Sequence, residues 1–427
     1  VVLLDPWAVI SAGFWLSFGA VAIISYALGA RVGHPHWLRA SLQSQWAVTV
    51  GMLPLLLMLF NQLSIVSPLA NVFAIPLISF IVTPLALLGS FLPLDFMLAF
   101  SHHALSVCMR LLDWLDHLPQ VVWQQHAPPV WTLFPAMLGT LWILLPRGVP
   151  LRWLGCFGLL PMFLVLPLRP AAGNMQVTVL DVGQGLSVVV QTATHTLLYD
   201  AGAKYGEQAD AGMRIVLPFL HGEGVRKLDG FIVSHNDTDH SGGMLSVLTQ
   251  MPVGWLASSL PKSADAGVDV PRTKCFSGQR WIWDGVVFEM LSPQIESYRN
   301  ADLADNDRSC VLKVSASSGS LLLTGDIEQQ VETALVEQHS RSLNVSTLKS
   351  DVMIAPHHGS KTSSSEGFIN AVQPGLTVFT AGYLNRFRHP REEIVQRYEN
   401  VHSRIFRSDY HGALSIAFAD DKSGGGV

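Results

Sequence analysis

Two kinds of hydrophobic patterning divide the chain. As far as Gly173, apolar residues run in long, nearly unbroken stretches; from Met175 they come in short runs separated by turns rich in Gly, Asp and Asn. In the first region, Ala8 to Leu28 is long enough to span a bilayer and is followed by Arg31 and Arg39 in a short polar loop. Trp46 to Phe60 is a shorter apolar segment. Leu63 to Leu94 is interrupted by Pro68, Pro76, Pro84 and Pro93, which predicts kinked or broken membrane helices. Ser101 to Leu118 carries His102, His103, Arg110, Asp113, Asp116 and His117 among leucines. That spacing reads either as an amphipathic helix on a membrane surface or as an ordinary connection between helices. Trp131 to Leu145 and Leu151 to Leu168 are expected to be two final spans, joined by a turn with Arg147 and Arg152.

In the second region, Gln176–Leu180, Ser187–Gln191 and Thr196–Tyr199 alternate as successive strands. Phe231–Val233, Arg280–Trp283, Val286–Met290, Cys310–Val314 and Ser320–Leu323 follow as strands, and Val352–Ala355, Leu376–Thr380 and Ala413–Phe418 as late ones. Helices are expected at Ile215–Leu220, from Met244, at Ile327–His339 and at Arg391–Tyr398. Hairpins followed by strand–helix alternation predict two sheets with helices outside.

Charge sharpens the boundary. Of 27 basic and 32 acidic residues, only six Arg and four Asp precede residue 174. A polytopic α-helical membrane domain over 1–170 and a soluble α/β domain over 174–420 are therefore expected. Several Pro-broken segments favour transport over simple anchoring, which needs a single span. The arginines of the last turn place that turn in the cytoplasm and everything after Arg169 outside it. Val1 already lies in apolar sequence, so the chain reads as the C-terminal portion of a longer protein. The net charge of -5 neither argues for nucleic acid nor excludes it. Four Cys are too few for a disulfide framework; Cys275 and Cys310 would pair in an oxidising compartment or stay as free thiols.

The candidate chemistry lies in Ser234-His235-Asn236-Asp237-Thr238-Asp239-His240, at the end of the apolar run Phe231–Val233. Imidazole suits zinc and manganese, carboxylate suits manganese and magnesium, and alternate residues of a tight turn can face two ions. A solvated polar loop is the plain alternative. Three further sites weigh against it: Asp326 ends the run Leu321-Leu322-Leu323-Thr324-Gly325, His357 and His358 end Ile354-Ala355-Pro356, and His389 lies in Arg386-Phe387-Arg388-His389-Pro390. Each stands at or just past a strand end, where open α/β layers place their sites.

Asp200, the cluster His235–His240, Asp326 and His357/His358 resemble, in order, the motifs of the metallo-β-lactamase fold. The usual cluster is His-x-His-x-Asp-His; here Asp237 takes the place of the second His. Leu180-Asp181-Val182-Gly183-Gln184-Gly185, Pro356-His357-His358-Gly359-Ser360-Lys361-Thr362-Ser363 and the membrane stretch Gly13-Phe14-Trp15-Leu16-Ser17-Phe18 resemble the ComEC family of DNA-uptake channels in natural competence. The resemblance covers nearly all of this chain and lacks the family's N-terminal soluble domain and first membrane helices. It implies a multi-pass inner-membrane channel passing single-stranded DNA, and a periplasmic αββα hydrolase domain that degrades the other strand. The implied partners are single- and double-stranded DNA, membrane lipid, a periplasmic DNA receptor and a cytoplasmic translocation ATPase.

On that basis His235 and Asp237 are expected to hold one divalent ion, and Asp239 and His240 a second. Asp326 bridges them, and His357 or His358 completes the second site. His389 binds the scissile phosphate or protonates the leaving oxygen; Asp200 orients a ligand imidazole. The fold's usual further His is replaced by Asp305-Asn306-Asp307-Arg308-Ser309, where Asn306 or Asp307 would supply oxygen. More oxygen and less imidazole favours manganese, with zinc the alternative. Lys361, Arg386, Arg388 and Arg391 adjoin these positions and are candidate phosphate contacts, or else ordinary surface charge. Two competing readings are a membrane-tethered hydrolase of another ester and an inactive domain that only binds DNA.

Overall fold

The computed structural model describes the whole chain except residues 30–35, 93, 119–120, 147, 208, 261–267, 301, 342–347 and 420–427. Arg31, Pro93 and Arg147 therefore lie outside the described residues. The chain divides into two compact units, Val1–Pro167 with His221–Gly224, and Leu168–Leu220 with Val225–Val427.

The first unit is helical. Among the described residues, three stretches are long and apolar enough to cross a membrane: Ala12–Gly29, Arg39–Phe60 and Ser67–Phe91. The third is continuous despite its prolines because a π-turn at Ile78–Val82 absorbs the break between Ser67–Leu77 and Thr83–Phe91. Outward-facing Trp15, Phe18, Val21, Ile75, Phe80 and Phe91 make the exterior apolar, as lipid contact requires. Asp95–Asp116 is one helix that buries only the narrow seam of Ser101, Cys108 and Leu115. The Ser101 hydroxyl donates to the Val82 carbonyl, 3.0 Å away.

The last two predicted spans differ from expectation. They are helices of 11 and 10 residues, Leu133–Ile143 and Gly155–Leu164, shorter than a crossing needs. Their close packing depends on Gly139, Gly155 and Gly158, where a Cβ on any one would strike the backbone of the facing helix. Arg152, half of the orientation argument, donates to the Leu145 carbonyl at 2.6 Å.

The second unit is an αββα sandwich. Its strands are β1 Met175–Val179, β2 Val188–Gln191, β3 Thr196–Tyr199, β4 Gly230–Val233, β5 Leu256–Ser258, β6 Arg272–Lys274, β7 Arg280–Trp283, β8 Val286–Ser292, β9 Val311–Ala316, β10 Gly319–Leu323, β11 Val352–Ile354, β12 Leu376–Phe379, β13 Arg404–Arg407 and β14 Leu414–Phe418. One sheet runs β6-β5-β4-β3-β2-β1-β14 and the other β7-β8-β9-β10-β11-β12-β13. Both follow one plan: four strands pair antiparallel, then the inner one of these starts a parallel run of four.

Strand alternation explains the layers. Val177, Val188, Val190, Leu197 and Tyr199 of the first sheet meet Phe288, Met290, Leu312, Leu321 and Ile354 of the second in the central core. The opposite faces bury Val189, Leu198 and Phe231 beneath Leu217, Met244 and Val247, and Leu322, Met353 and Phe379 beneath Leu335, Phe368 and Tyr398. Cys275 and Cys310 form a disulfide with Cα atoms 5.7 Å apart, joining the segment after β6 to the start of β9.

Candidate metal centre

The polar residues gather at the C-terminal ends of the parallel strands. Asp200 follows β3, the 234–240 segment follows β4, Asp326 follows β10, His357 and His358 follow β11, and the loop to His389 follows β12. Local backbone aims them. His357 and His358 hold left-handed φ values of 51° and 55° and precede Gly359 at 82°. Three consecutive residues in that region turn the chain so sharply that both imidazoles reach Asp326. Such non-Gly conformations persist only where surroundings enforce them; here the buried Glu332 carboxylate accepts from the Ser364 and Ser365 N–H groups just beyond the turn. Gly185 is required at its own position, since a Cβ there would collide with the Asp239 carbonyl.

Asp326 sits between two groups of ligand-type side chains. On one side His240 Nε2 lies 3.1 Å from Asp326 Oδ1. His358 Nε2 lies 3.2 Å from His240 Nε2, 3.3 Å from Asp239 Oδ2 and 3.6 Å from Asp326 Oδ2. On the other side His235 Nε2 lies 3.5 Å from Asp237 Oδ2 and 4.0 Å from Asp326 Oδ2, and His357 Nε2 lies 3.8 Å from Asp326 Oδ2. Two sets each bring three ligand atoms within 4.8 Å of one another: His235, His240 and Asp326, and Asp239, His240 and His358.

These residues fit divalent cations. His235 Nε2 is fully buried and has no hydrogen-bond partner, yet it points at two carboxylates. Most of the separations exceed hydrogen-bond length and suit ligand atoms sharing an ion. Hard oxygen mixed with imidazole is the donor set of manganese or zinc. His240 Nε2 falls in both sets, but one ring nitrogen can hold only one ion and Nδ1 faces Asp200, so the two sets are alternatives for it. Of the two histidines after β11, His358 takes the position beside Asp239 and His240.

The electrostatics follow from burial and charge. Burial opposes ionisation of Asp326, but the neighbouring His240 and His358 imidazoles hold its carboxyl well below the usual range. Burial likewise opposes protonation of His240, but Asp326 and Asp200 raise it well above its usual value. His358 is raised against burial by Asp326 and by its hydrogen bond to Asp239. His389 moves the other way: burial, reinforced by His358 and His357, lowers it to about 4.

A supporting shell fixes the ring orientations. Asp200 accepts from the Ser234 N–H at 2.6 Å and the Ser234 hydroxyl at 2.7 Å, and its Oδ2 lies 2.8 Å from His240 Nδ1. His358 Nδ1 meets the Thr380 hydroxyl at 3.0 Å. The Asp326 N–H donates to Ser309 Oγ at 3.1 Å. Ser309 is thus one contact of the 305–309 stretch with the centre, while Asp307, buried with its Oδ1 unpaired, joins neither ligand set among the described residues. Thr380 was not singled out in the sequence, and Ser234 and Ser309 entered only as members of longer stretches, without a role. Only their place beside strand ends marked them, and small hydroxyl residues there are too common to stand out.

A cleft of about 650 Å3 opens beside the centre, lined by Gln184, Asn236, Asp237, Asp239, Asn385, Arg386 and Phe387 among others. Arg386 of the predicted basic residues lines it. Lys361 instead pairs with Glu393 on the surface at 3.0 Å. Arg388 is exposed in a left-handed conformation, and Arg391 buries its Nε without a partner.

Comparison with known proteins agrees with the two-part architecture. Residues 1–150 match the Competence protein family, and residues 180–379 match the Metallo-beta-lactamase superfamily. The chain is 38% identical over 417 residues to "Competence protein ComA" of Neisseria gonorrhoeae, covering 97% of this chain and 57% of that protein. It is 30% identical over 437 residues to "Uncharacterized protein YcaI" of Escherichia coli K12, covering 98% and 55%. Among solved structures, the metallo-beta-lactamase fold protein YhfI from Bacillus subtilis covers 57% of this chain and 100% of that one, at 11% identity and a TM-score of 0.39. The chain spans about half the length of the curated relatives it matches. Residues 1–150 thus form a competence-family domain and residues 180–379 a domain of the metallo-β-lactamase superfamily, and over nearly its whole length the chain is similar to competence proteins.

Proposed function

We propose that this chain is the channel-and-nuclease portion of a DNA-uptake protein. Residues 1–170 would form part of an inner-membrane conduit for single-stranded DNA, and residues 174–420 a phosphodiesterase that degrades the strand left outside. The observation that carries the reading is Asp326, flanked by two sets of histidines and carboxylates beside a cleft that Arg386 lines.

Two divalent ions, manganese by preference, would supply an activated water and neutralise charge on the phosphoryl oxygens. His235, Asp237, Asp239, His240, Asp326 and His358 are the residues to hold them, with His357 at the open side. Asp200 keeps the His240 ring turned so that its Nε2 faces Asp326. Arg386 is the nearest cation for a phosphate in the cleft; Arg388 and Lys361 would contact DNA farther out. His389, neutral at working pH, is placed to hydrogen-bond a phosphate or leaving oxygen through its ring.

An extracytoplasmic position for the hydrolase domain is supported by the Cys275–Cys310 disulfide, since such bonds persist in oxidising compartments. DNA and membrane lipid are the proposed contacts, with a periplasmic DNA receptor and a cytoplasmic translocation ATPase as partners in uptake.

The test uses the chain in lipid nanodiscs with linear single- and double-stranded DNA, plus manganese, magnesium, zinc or chelator. An Asp237→Ala/His240→Ala double variant serves as control. Metal-dependent cleavage lost in the variant is expected. Binding without cleavage under any metal would point to an inactive DNA-binding domain. Neither binding nor cleavage would turn attention to another ester as substrate.

A further inference from the structure

The loop from Gly382 to His389 displays more than metal chemistry requires. It reads Gly-Tyr-Leu-Asn-Arg-Phe-Arg-His, interleaving aromatic and basic side chains. Tyr383 is 74% exposed, Leu384 84% and Phe387 42%. The loop is nonetheless well pinned. The Asn385 amide donates to the Gly382 carbonyl at 3.0 Å and to the His389 carbonyl at 2.7 Å, while its Oδ1 accepts from the His389 N–H at 2.9 Å. The Gly382 N–H donates to Gln184 Oε1, which ties the loop to the turn before β2. Leu384 and Arg388 hold left-handed φ values of 52° and 57°. Backbone held in that region while apolar surface faces water is a pattern of binding loops rather than of idle connections.

The aromatic groups are arranged as a ladder. The Phe387 ring lies 25° from parallel with His389 at a centroid distance of 5.7 Å, and the Arg386 guanidinium lies 4.7 Å from the Phe387 centroid. His389 continues toward the centre, 6.0 Å from His357. Ring contacts thus lead from His357, edge-on to His389, to the stacked Phe387 at the cleft, which Arg386, Phe387 and Asn385 line together with Asp237 and Asp239.

We propose that this loop is a stacking platform for unpaired nucleobases next to the scissile phosphate. Phe387 with Arg386 receives one base, and Tyr383 its neighbour. The proposal rests on the phosphodiesterase reading above and narrows it. Bases inside a duplex cover each other's faces, so only single strands and frayed ends offer a π-face to such a ladder. Guanidinium and phenyl groups accept any base, as degradation without sequence preference needs. The amides of Gln184 and Asn236 line the cleft beside the apolar ring of Phe387, a mixture that suits base edges and base faces together.

The experiment measures binding of a fluorescent oligothymidylate and of a blunt hairpin duplex to the nanodisc-held chain in chelator, for wild type, Phe387→Ala, Phe387→Trp and Tyr383→Ala. Phe387→Ala should weaken single-strand binding about tenfold, the scale of one lost base stack. Duplex binding should change far less, and Phe387→Trp should restore the preference. Tyr383→Ala, in a side chain that is mostly exposed, should weaken single strands in the same sense. Equal losses for both DNA forms, or no loss in either alanine variant, would overturn the platform. Because binding is read without metal, the two readings separate. A selective loss in a chain that cleaves nothing keeps the platform and removes the nuclease. Cleavage with an unchanged single-strand preference does the reverse.

Discussion

The two sides of the metal centre are built from similar residues but closed to different degrees. Beside His240 and His358, both imidazoles are buried, Asp239 is only 27% exposed, and each ring is held from behind by Asp200 or Thr380. Beside His235, the facing carboxylate of Asp237 is 50% exposed and His357 turns its Nδ1 toward Glu328 and Thr362 at the surface. Oriented, desolvated donors bind ions more tightly than mobile, hydrated ones. The difference teaches that an ion on the closed side would be held more tightly than one on the open side, where Asp237 meets solvent.

Asp326→Asn should break the comparison altogether, because Asp326 faces both sides. Metal content after desalting is expected to fall toward zero, and hydrolysis to the level of the chelated protein. His358→Ala and Asp237→Ala should separate the sides. The first is expected to remove the tightly held ion; the second should leave about one ion per chain and raise the metal concentration needed for activity. Asp200→Asn should weaken metal affinity about 10- to 100-fold, and titration with a competing chelator would show the loss chiefly in the tighter phase.

The pH response sharpens the contrast further. In the metal-free protein, against the effect of burial, the neighbouring carboxylates raise His240 and His358 above the ordinary imidazole value of 6.5. Raised values mean that their protonated forms stabilise the chelated fold below 6.5, and that this contribution fades as pH rises through the raised values. Ions need the neutral imidazoles, so loading must expel those protons. The gap in Tm between loaded and chelated protein should therefore widen from pH 6 to pH 9, with proton release on binding measurable by calorimetry in buffers of different ionisation enthalpy. The smallest expected effect is Gly185→Ala. It forces a side chain at a φ of 138° against the Asp239 carbonyl, costs about 1–3 kcal/mol, and should loosen only the closed side.

Much of this was legible because the ligands are local. The 235–240 segment, Asp326 and the paired histidines each end an apolar run, and strand ends are where such layers place chemistry. The partners that fix them were not legible. Thr380 is 22 residues from His358, and Ser309 is 17 from Asp326; only sheet order brings them together. Strands β5, β6 and β13 escaped notice because none carries an apolar run like that of the equally short β11, and β6 is exposed at every position. Their pairing comes from a parallel neighbour rather than from their own alternation. In the membrane region, apolarity located the helices, but Gly and Pro decided their lengths. Leu133–Ile143 and Gly155–Leu164 are as apolar as full spans and end early.

The ligands do not come from one sheet. His235 to His240 follow a strand of the first sheet, and Asp326 and His358 follow strands of the second. An ion held among them is a rivet through the seam of the sandwich, and the Cys275–Cys310 bond is a second fastening across the same seam. Both fastenings would add to the apolar core that already holds the two sheets together, so neither alone is needed to keep them joined. Such a domain would lose or exchange an ion without coming open.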